Sequence, residues 1–228
     1  MKILHATDIH FNKKRFEWIT NEGNQLDYDI LCLTGDFLNT SFKCRTPIEQ
    51  QVDWISKWAK QLNRPTLICS GNHDIQEETV TESLESLFML DEEETYQESY
   101  FEETISTQTT TQADWILDMA SSHVFVDRSI TELNGIKIGC VPYGTEDFSK
   151  YRHCDILLNH QPPARTETST DKLGDWGCTH LRSAIEHKEI SPTMILSGHI
   201  HNPLKNRATL GNVEIFNPGV KAEIYKFQ

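Results

Sequence analysis

The sequence predicts an α/β fold of four layers, a pair of facing mixed β-sheets flanked by helices, on three observations. Short apolar runs alternate with helix-length amphipathic segments in the first half, which argues for parallel strands joined by crossover helices. The second half offers a hairpin and a further set of short apolar runs, enough for a second sheet. The length of 228 residues fits one domain and is ample for a buried core.

Residues 2–7 read as the first strand, 15–21 as a helix and 29–34 (DILCLT) as the second strand. Residues 47–62 form the next helix, because Ile48, Val52, Ile55 and Ala59 recur at three- and four-residue spacing and mark one buried face. Residues 66–70 (TLICS) make the third strand. Further on, 130–133 and 136–141 flank Asn134-Gly135, a pair that supplies the positive φ angles of a tight hairpin turn. Residues 155–158, 193–197, 213–216 and 222–227 are further strands, and 179–188 is a helix. Between the halves, 78–90 and 112–119 read as helices and 104–112 (TISTQTTTQ) as a flexible linker.

Charge is distributed unevenly. The chain has 21 Lys and Arg against 34 Asp and Glu, a formal charge of −13. Residues 75–127 hold 14 carboxylates and no Lys or Arg, so the rest of the chain has 21 basic against 20 acidic groups. A single domain over 1–228 with an acidic insertion at about 75–127 follows. The insertion reads either as a solvated segment or as a lid or partner-binding arm whose negative field repels long polyanions. No apolar run approaches the roughly 20 residues that span a bilayer, which argues against a membrane protein. The six cysteines form no C-x-x-C pair, and no basic-then-apolar leader pattern precedes the first strand, so free thiols and a cytoplasmic location are expected.

Metal-ligand residue types follow the strands. Asp8-Ile9-His10 follows the first, Gly35-Asp36 the second and Gly71-Asn72-His73-Asp74 the third; Asn159-His160 and Gly198-His199-Ile200-His201 follow two strands of the second half. Ligands in layered α/β folds bind at the carboxyl ends of the strands, so these five loops are expected to converge on one crevice. Imidazole with carboxylate suits Mn²⁺, Fe or Zn²⁺, whereas an all-oxygen site would suggest Mg²⁺ or Ca²⁺. The Asp8-x-His10 and His199-x-His201 pairs need only a chain leaving its strand extended, so that i and i+2 point the same way. Gly35, Gly71 and Gly198 are expected to let the backbone turn sharply beside a crowded site.

In this order, D-x-H, G-D, G-N-H-D, a lone His and G-H-x-H resemble the calcineurin-like metallophosphoesterase family. The motifs run from Asp8 to His201, nearly the whole chain, and leave 75–127 uncovered. The resemblance implies two divalent ions, manganese first, with iron, zinc, nickel or cobalt as alternatives. Asp8, His10, Asp36 and His201 would hold one ion; Asp36 would bridge to a second, completed by Asn72, His160 and His199. A hydroxide between paired ions serves as nucleophile for in-line displacement at phosphorus. The resemblance implies that His73 lies beside the metals, stabilising the transition state or protonating the leaving oxygen; Asp74 is read as orienting its ring. Relatives with a second Asp three residues after the bridging one differ here, where the position holds Asn39. Asn217-Pro218-Gly219 and the run Asn159–Asn202 also resemble family segments, and the loop 161–178 would overhang the metals.

Plainer readings stand beside these. His5, His123, His153, His180 and His187 read as packed or solvated, with His5 inside or at the edge of the sheet. Trp176 either stacks on a nucleobase or anchors its own loop, and Arg165 and Lys172 either contact phosphate or are solvated. Tyr143-Gly144 follows a strand of the second half and faces the same crevice.

The expected function is a metal-dependent phosphodiesterase acting on a nucleotide or nucleic acid. Lys13, Lys14, Arg15, Lys43 and Arg45, after the first two motif loops, would guide such a substrate. The alternatives are a phosphomonoesterase on a small metabolite, which needs a closed pocket, and a non-catalytic interaction module, which loss of ligands would signal. No ligand is lost. A phosphate ester is thus the one partner expected; no membrane is, and no protein partner can be named.

Overall fold

The structure, a computed structural model, describes residues 1–79 and 109–227. Strands β1 (Lys2–Ala6), β2 (Ile30–Thr34) and β3 (Thr66–Cys69) are buried on both faces almost throughout. Parallel strands enclosed between two layers read as such near-continuous apolar runs. Successive side chains alternate sides. Leu31, Leu33 and Ile68 pack outward against Phe16 and Ile19 of α1 (Lys13–Thr20) and Ile55 and Trp58 of α2 (Ile48–Ala59). Ile30, Cys32, Leu67 and Cys69 point the other way, into a core shared with a second set of strands.

That second set comprises β7 (Ile130–Leu133), β8 (Ile136–Cys140), β9 (Ile156–Leu158), β10 (Met194–Leu196), β11 (Arg207–Leu210) and β12 (Val213–Phe216). Ile138, Ile156, Leu158, Met194 and Leu196 face the first sheet. Leu157, Ile195 and Ile215 face outward onto Leu181, Ala184 and Ile185 of α3 (Thr179–Glu186). Three buried clusters therefore separate four layers, helix, sheet, sheet and helix, as predicted. The first sheet is completed by β6 (Val124–Phe125) and β13 (Glu223–Lys226), in the order β13-β1-β2-β3-β6; the second has the order β11-β12-β10-β9-β8-β7. β13 runs antiparallel to β1, and β7 and β11 antiparallel to their neighbours, so both sheets are mixed.

The chain divides into two units, 1–75 with 113–228, and 76–112. In the second, β4 (Gln76–Thr79) pairs antiparallel with β5 (Thr109–Gln112). This corrects two expectations. Residues 109–112 are strand rather than linker, because three consecutive β-branched threonines favour a ladder; residues 78 and 79 are strand rather than helix. The remainder of the expected helix at 78–90 and linker at 104–112 lies outside the described residues. The far boundary of the acidic insertion also moves. Trp115, Ile116 and Met119 of the short 3₁₀ helix Asp114–Met119, with Val124 and Val126, belong to the core of the first unit despite the acidic residues among them.

The Asn134-Gly135 turn has φ of 54° and 78°, as the hairpin requires. β11 was not anticipated, although Gly211-Asn212 before β12 is itself a hairpin signal. All six cysteines are unpaired thiols. Among the described residues no helix is long and apolar enough to cross a membrane.

Candidate metal centre

Parallel pairing delivers the motif loops to a common edge. Ala6 lies opposite Leu33 and Thr34 opposite Cys69 in the first sheet, and Leu158 lies opposite Leu196 in the second. The ladders continue past the strand ends: Asp8 N–H donates to Gly35 O at 3.1 Å, His10 N–H to Asp36 O at 2.8 Å and Gly198 N–H to His160 O at 2.8 Å. One sheet is tied to the other by His160 Nδ1, which donates to Thr34 O at 2.6 Å. That bond fixes Nδ1 as a donor and turns Nε2 towards the crevice.

These loops are not extended. Asp8, His10, Asp36 and His199 have φ of 50°, 48°, 57° and 69°, the left-handed region, which corrects the expectation for the D-x-H and H-x-H pairs. Such conformations cost of order 1–3 kcal/mol each and persist only where the surroundings over-determine them. Gly35, at φ 81°, supplies the turn expected of it. Gly198 acts differently: a Cβ there would lie 1.8 Å from Thr7 Oγ1 and 2.5 Å from Asp8 Oδ2, so it permits close approach.

The side chains converge. His201 Nε2 lies 3.4 Å from Asp8 Oδ1 and 3.1 Å from His10 Nε2, which is 3.8 Å from Asp36 Oδ2. Asp36 Oδ2 in turn lies 3.4 Å from His160 Nε2 and 3.9 Å from His73 Nε2. Asn72 Oδ1 faces His160 Nε2 at 3.2 Å and His199 Nδ1 at 2.9 Å. Three groups of potential ligands result: Asp8, His10 and His201; His10, Asp36 and His73; and Asp36, His160 and His199. All seven expected metal ligands, with His73, are thus brought together.

Electrostatics follow from this crowding. Burial opposes the ionisation of Asp36, but the His160 charge and hydrogen bond outweigh it and hold the carboxyl well below its usual range. For Asp8, likewise, burial is overcome by the His201 ring and the His160 charge. Burial would lower His160; the Asp36 charge reverses this and raises it to about 9. His199 is lowered to about 4 by burial and then by its neighbour His160.

The donor set fits divalent cations. Asp8 is fully buried; its Oδ2 accepts from Thr7 Oγ1 at 2.8 Å and from His199 N–H at 3.1 Å, yet its Oδ1 has no hydrogen-bond partner among the described residues. A buried carboxylate oxygen without a partner is costly unless a cation takes it. Similarly, His10 and His201 aim ring nitrogens at each other, an arrangement natural for two ligands of one ion.

Several residues hold this geometry without entering it. Asp74 is fully buried, and its carboxylate accepts four backbone N–H bonds, from Asp36 and Phe37 at 2.8 Å, Gly71 at 2.9 Å and Leu38 at 3.0 Å. It therefore does not orient the His73 ring, whose Nδ1 meets the Thr40 hydroxyl instead. The reason is local: the 3₁₀ turn Asn72–Asp74 makes Asp74 cap its own turn and the Asp36 loop. Burial and the Asp36 charge push the Asp74 carboxyl up, to about 7, against the four donors that favour the carboxylate.

Arg15, expected to guide substrate, donates to Asp8 O at 2.6 Å, Thr7 O at 3.2 Å and Val220 O at 2.5 Å, clamping the first motif loop to the C-terminal segment. Asn217 Nδ2 donates to Gly198 O at 2.8 Å and Ile200 O at 3.2 Å, which fixes the H-x-H loop. Gln51, buried on α2, holds the Asn39 backbone by N–H and C=O. Its place three residues after Ile48 and four before Ile55, on the apolar face of the helix, was the sequence signal that could have revealed it.

Three tentative substrate contacts are not brought into the cluster. Asn39 Oδ1 accepts from Ser41 N–H at 3.0 Å, Trp176 Nε1 donates to Asp171 Oδ1 at 3.3 Å, and Arg165 is exposed with its N–H on Asp175 at 2.8 Å. Trp176 thus anchors its own loop. Tyr143 does reach the crevice, its ring 6.0 Å from that of His160.

Comparison with known proteins agrees with this fold. The protein TT1561 of Thermus thermophilus superposes with a TM-score of 0.57 at 11% identity, covering 98% of this chain and 97% of that one. A second crystal structure gives 0.57 at 12% identity over 100% and 99% of the two chains. An archaeal phosphodiesterase gives 0.45 at 15% identity over 96% and 84%. No curated protein sequence matches. The sequence model of the calcineurin-like phosphoesterases matches residues 1–203, which include every residue of the cluster. The chain belongs to the calcineurin-like phosphoesterase family, whose members are divalent-metal-dependent hydrolases of phosphate esters.

Proposed function

We propose that this chain is a dinuclear phosphodiesterase acting on a nucleotide or nucleic acid. The observation that carries the reading is Asp36, whose carboxylate belongs to two ligand groups at once, one with His10 and His73 and one with His160 and His199. Asp8, His10, Asp36 and His201 would hold one ion, and Asp36, Asn72, His160 and His199 the other, with Mn²⁺ the first candidate. Bound there, two divalent ions supply a water ionised at neutral pH as nucleophile and positive charge for the phosphoryl oxygens.

The chain's own groups do the rest. Asp36 Oδ1 accepts the His73 backbone N–H at 2.9 Å, which turns Oδ2 towards the cluster. His73, held at Nδ1 by Thr40, keeps Nε2 for a phosphoryl or leaving oxygen. The His73 and His201 side chains are 37% and 45% exposed, and a centre reachable from solvent supports a diester rather than a dianion held in a closed pocket. Exposed Lys13, Lys43 and Arg45, on the segments after β1 and β2, favour an anionic nucleotide.

The test is hydrolysis of bis-p-nitrophenyl phosphate and p-nitrophenyl phosphate with Mn²⁺, with EDTA and with Asp36→Ala. Metal-dependent turnover, faster on the diester and abolished by both treatments, is expected. No metal-dependent turnover, or a faster monoester, overturns the reading.

A further inference from the structure

Phe42 is 92% exposed, more than any other large apolar side chain among the described residues. A single exposed hydrophobic is ordinary; the setting of this one is not. Its turn is closed by Cys44 N–H on Ser41 O at 2.8 Å and by Ser41 N–H on Asn39 Oδ1 at 3.0 Å. Gln51 Nε2 then donates to Asn39 O at 3.1 Å and to Thr46 O at 2.8 Å. Both ends of the loop are thus tied to α2, and the ring is held out in water on a fixed support. The same loop carries Thr40, which meets His73, so Phe42 stands two residues along the chain from a contact with the metal cluster.

A second aromatic group lies next to His10. The half-buried rings of Phe11 and Trp54 meet edge to face, centroids 5.8 Å apart, and Trp54 is one turn along α2 from Gln51. Each group carries a cation. Lys13 Nζ lies 5.3 Å from the Phe11 centroid and 5.2 Å from that of Trp54, and Lys43 Nζ lies 5.7 Å from that of Phe42. Lys13, Lys43 and Arg45 are exposed and form no ion pair among the described residues. Neither 9–16 nor 37–48 contains an Asp or Glu. Of the two acids on α2, Asp53 is paired with Lys57 at 2.6 Å, which leaves Glu49 against these three cations.

Aromatic faces interleaved with cations suit a chain of bases and phosphates, since rings stack on bases and cations meet the backbone. Duplex bases already stack on one another and offer no free face, so a single strand is the form that fits. We propose that Phe42, with Phe11, Trp54, Lys13, Lys43 and Arg45, forms a track that binds single-stranded nucleic acid beside the metal cluster, with Phe42 stacking on an unpaired base. The proposal rests on the phosphodiesterase reading above and narrows its substrate to a single strand.

The experiment is fluorescence anisotropy of a short labelled single strand with the full chain, in EDTA so that nothing is cleaved. Saturable binding is expected, with a duplex of the same length bound more weakly. Phe42→Ala should weaken binding about tenfold, the loss of one stacked base, and Phe42→Tyr should restore it. The salt dependence separates the two kinds of contact. Lys43→Ala and Arg45→Ala should each reduce the slope of log affinity against log salt by about 0.7, whereas Phe42→Ala leaves the slope unchanged. No saturable binding, a duplex bound as tightly as the single strand, or Phe42→Ala binding as wild type does would overturn the track. Bis-p-nitrophenyl phosphate has no base, so its turnover tests the phosphodiesterase reading separately. Metal-dependent turnover without strand binding sinks this inference alone, and strand binding without turnover sinks that reading and keeps the track.

Discussion

The motif loops after β1, β2, β3 and β10 and the loop over 161–178 are both rich in polar side chains, yet they spend them differently. In the motif loops the carboxylates and imidazoles of the cluster face one another, and the backbone is held by side chains that do not join it, those of Asp74, Arg15 and Asn217. In the 161–178 loop the side chains bond the loop itself: Ser169 Oγ to Asp175 at 2.5 Å, Thr166 Oγ1 to Pro163 O at 2.9 Å and Trp176 Nε1 to Asp171 at 3.3 Å. A polar residue whose bonds are satisfied locally has little left for a ligand. One whose backbone is held by others, in a conformation it would not choose, keeps its side chain available.

Three substitutions sharpen this contrast. The largest effect belongs to Asp74→Ala, which strips four buried N–H groups of their acceptor and should cost about 3 kcal/mol or more in urea unfolding. Activity should fall with it, because the Asp36 loop loses its anchor. A variant as stable as wild type but catalytically slow would instead return Asp74 to the role of orienting His73.

Next is His5, fully buried between the sheets with Nε2 on Thr34 Oγ1 at 2.8 Å. Burial lowers it from 6.5 to about 3, despite the opposing pull of Asp8. The folded value lies below the unfolded one, so the unfolded chain takes up the proton first. Its contribution is complete above about pH 6.5 and is lost on acidification at up to roughly 1.4 kcal/mol per pH unit until the folded value is reached. Unfolding midpoints at pH 7, 6 and 5 should fall less steeply in His5→Gln than in wild type; parallel slopes would show that His5 is not the neutral buried group. The smallest effect is expected for Trp176→Ala, within about twofold on bis-p-nitrophenyl phosphate, since the ring serves its own loop. A tenfold rise in KM would mean that the 161–178 loop contacts substrate after all.

How much of this was legible in the sequence follows the same division. Strand period and ligand chemistry are properties of residues and short spacings, so the four layers and the Asp8-to-His201 cluster could be read. The supports could not. Asp74 stands next to His73, and adjacency suggested a pair that the 3₁₀ turn separates. Arg15 read as a free cation because its three carbonyl partners, two in the first loop and one at Val220, meet only in the fold. The left-handed turns at Asp8, His10, Asp36 and His199 carry no glycine and leave no mark in the residue pattern. Charge misled at 113–127, where burial of Trp115 and Ile116 outweighs the neighbouring acids.

The central claim, that Asp36 joins two cation sites, is tested most directly by counting ions. Metal-free protein titrated with Mn²⁺ by calorimetry, and assayed for bound metal after desalting, should take up two ions per chain, and Asp36→Ala fewer than one. Uptake of a single ion by the wild type, of none, or of two by Asp36→Ala as well, would contradict it.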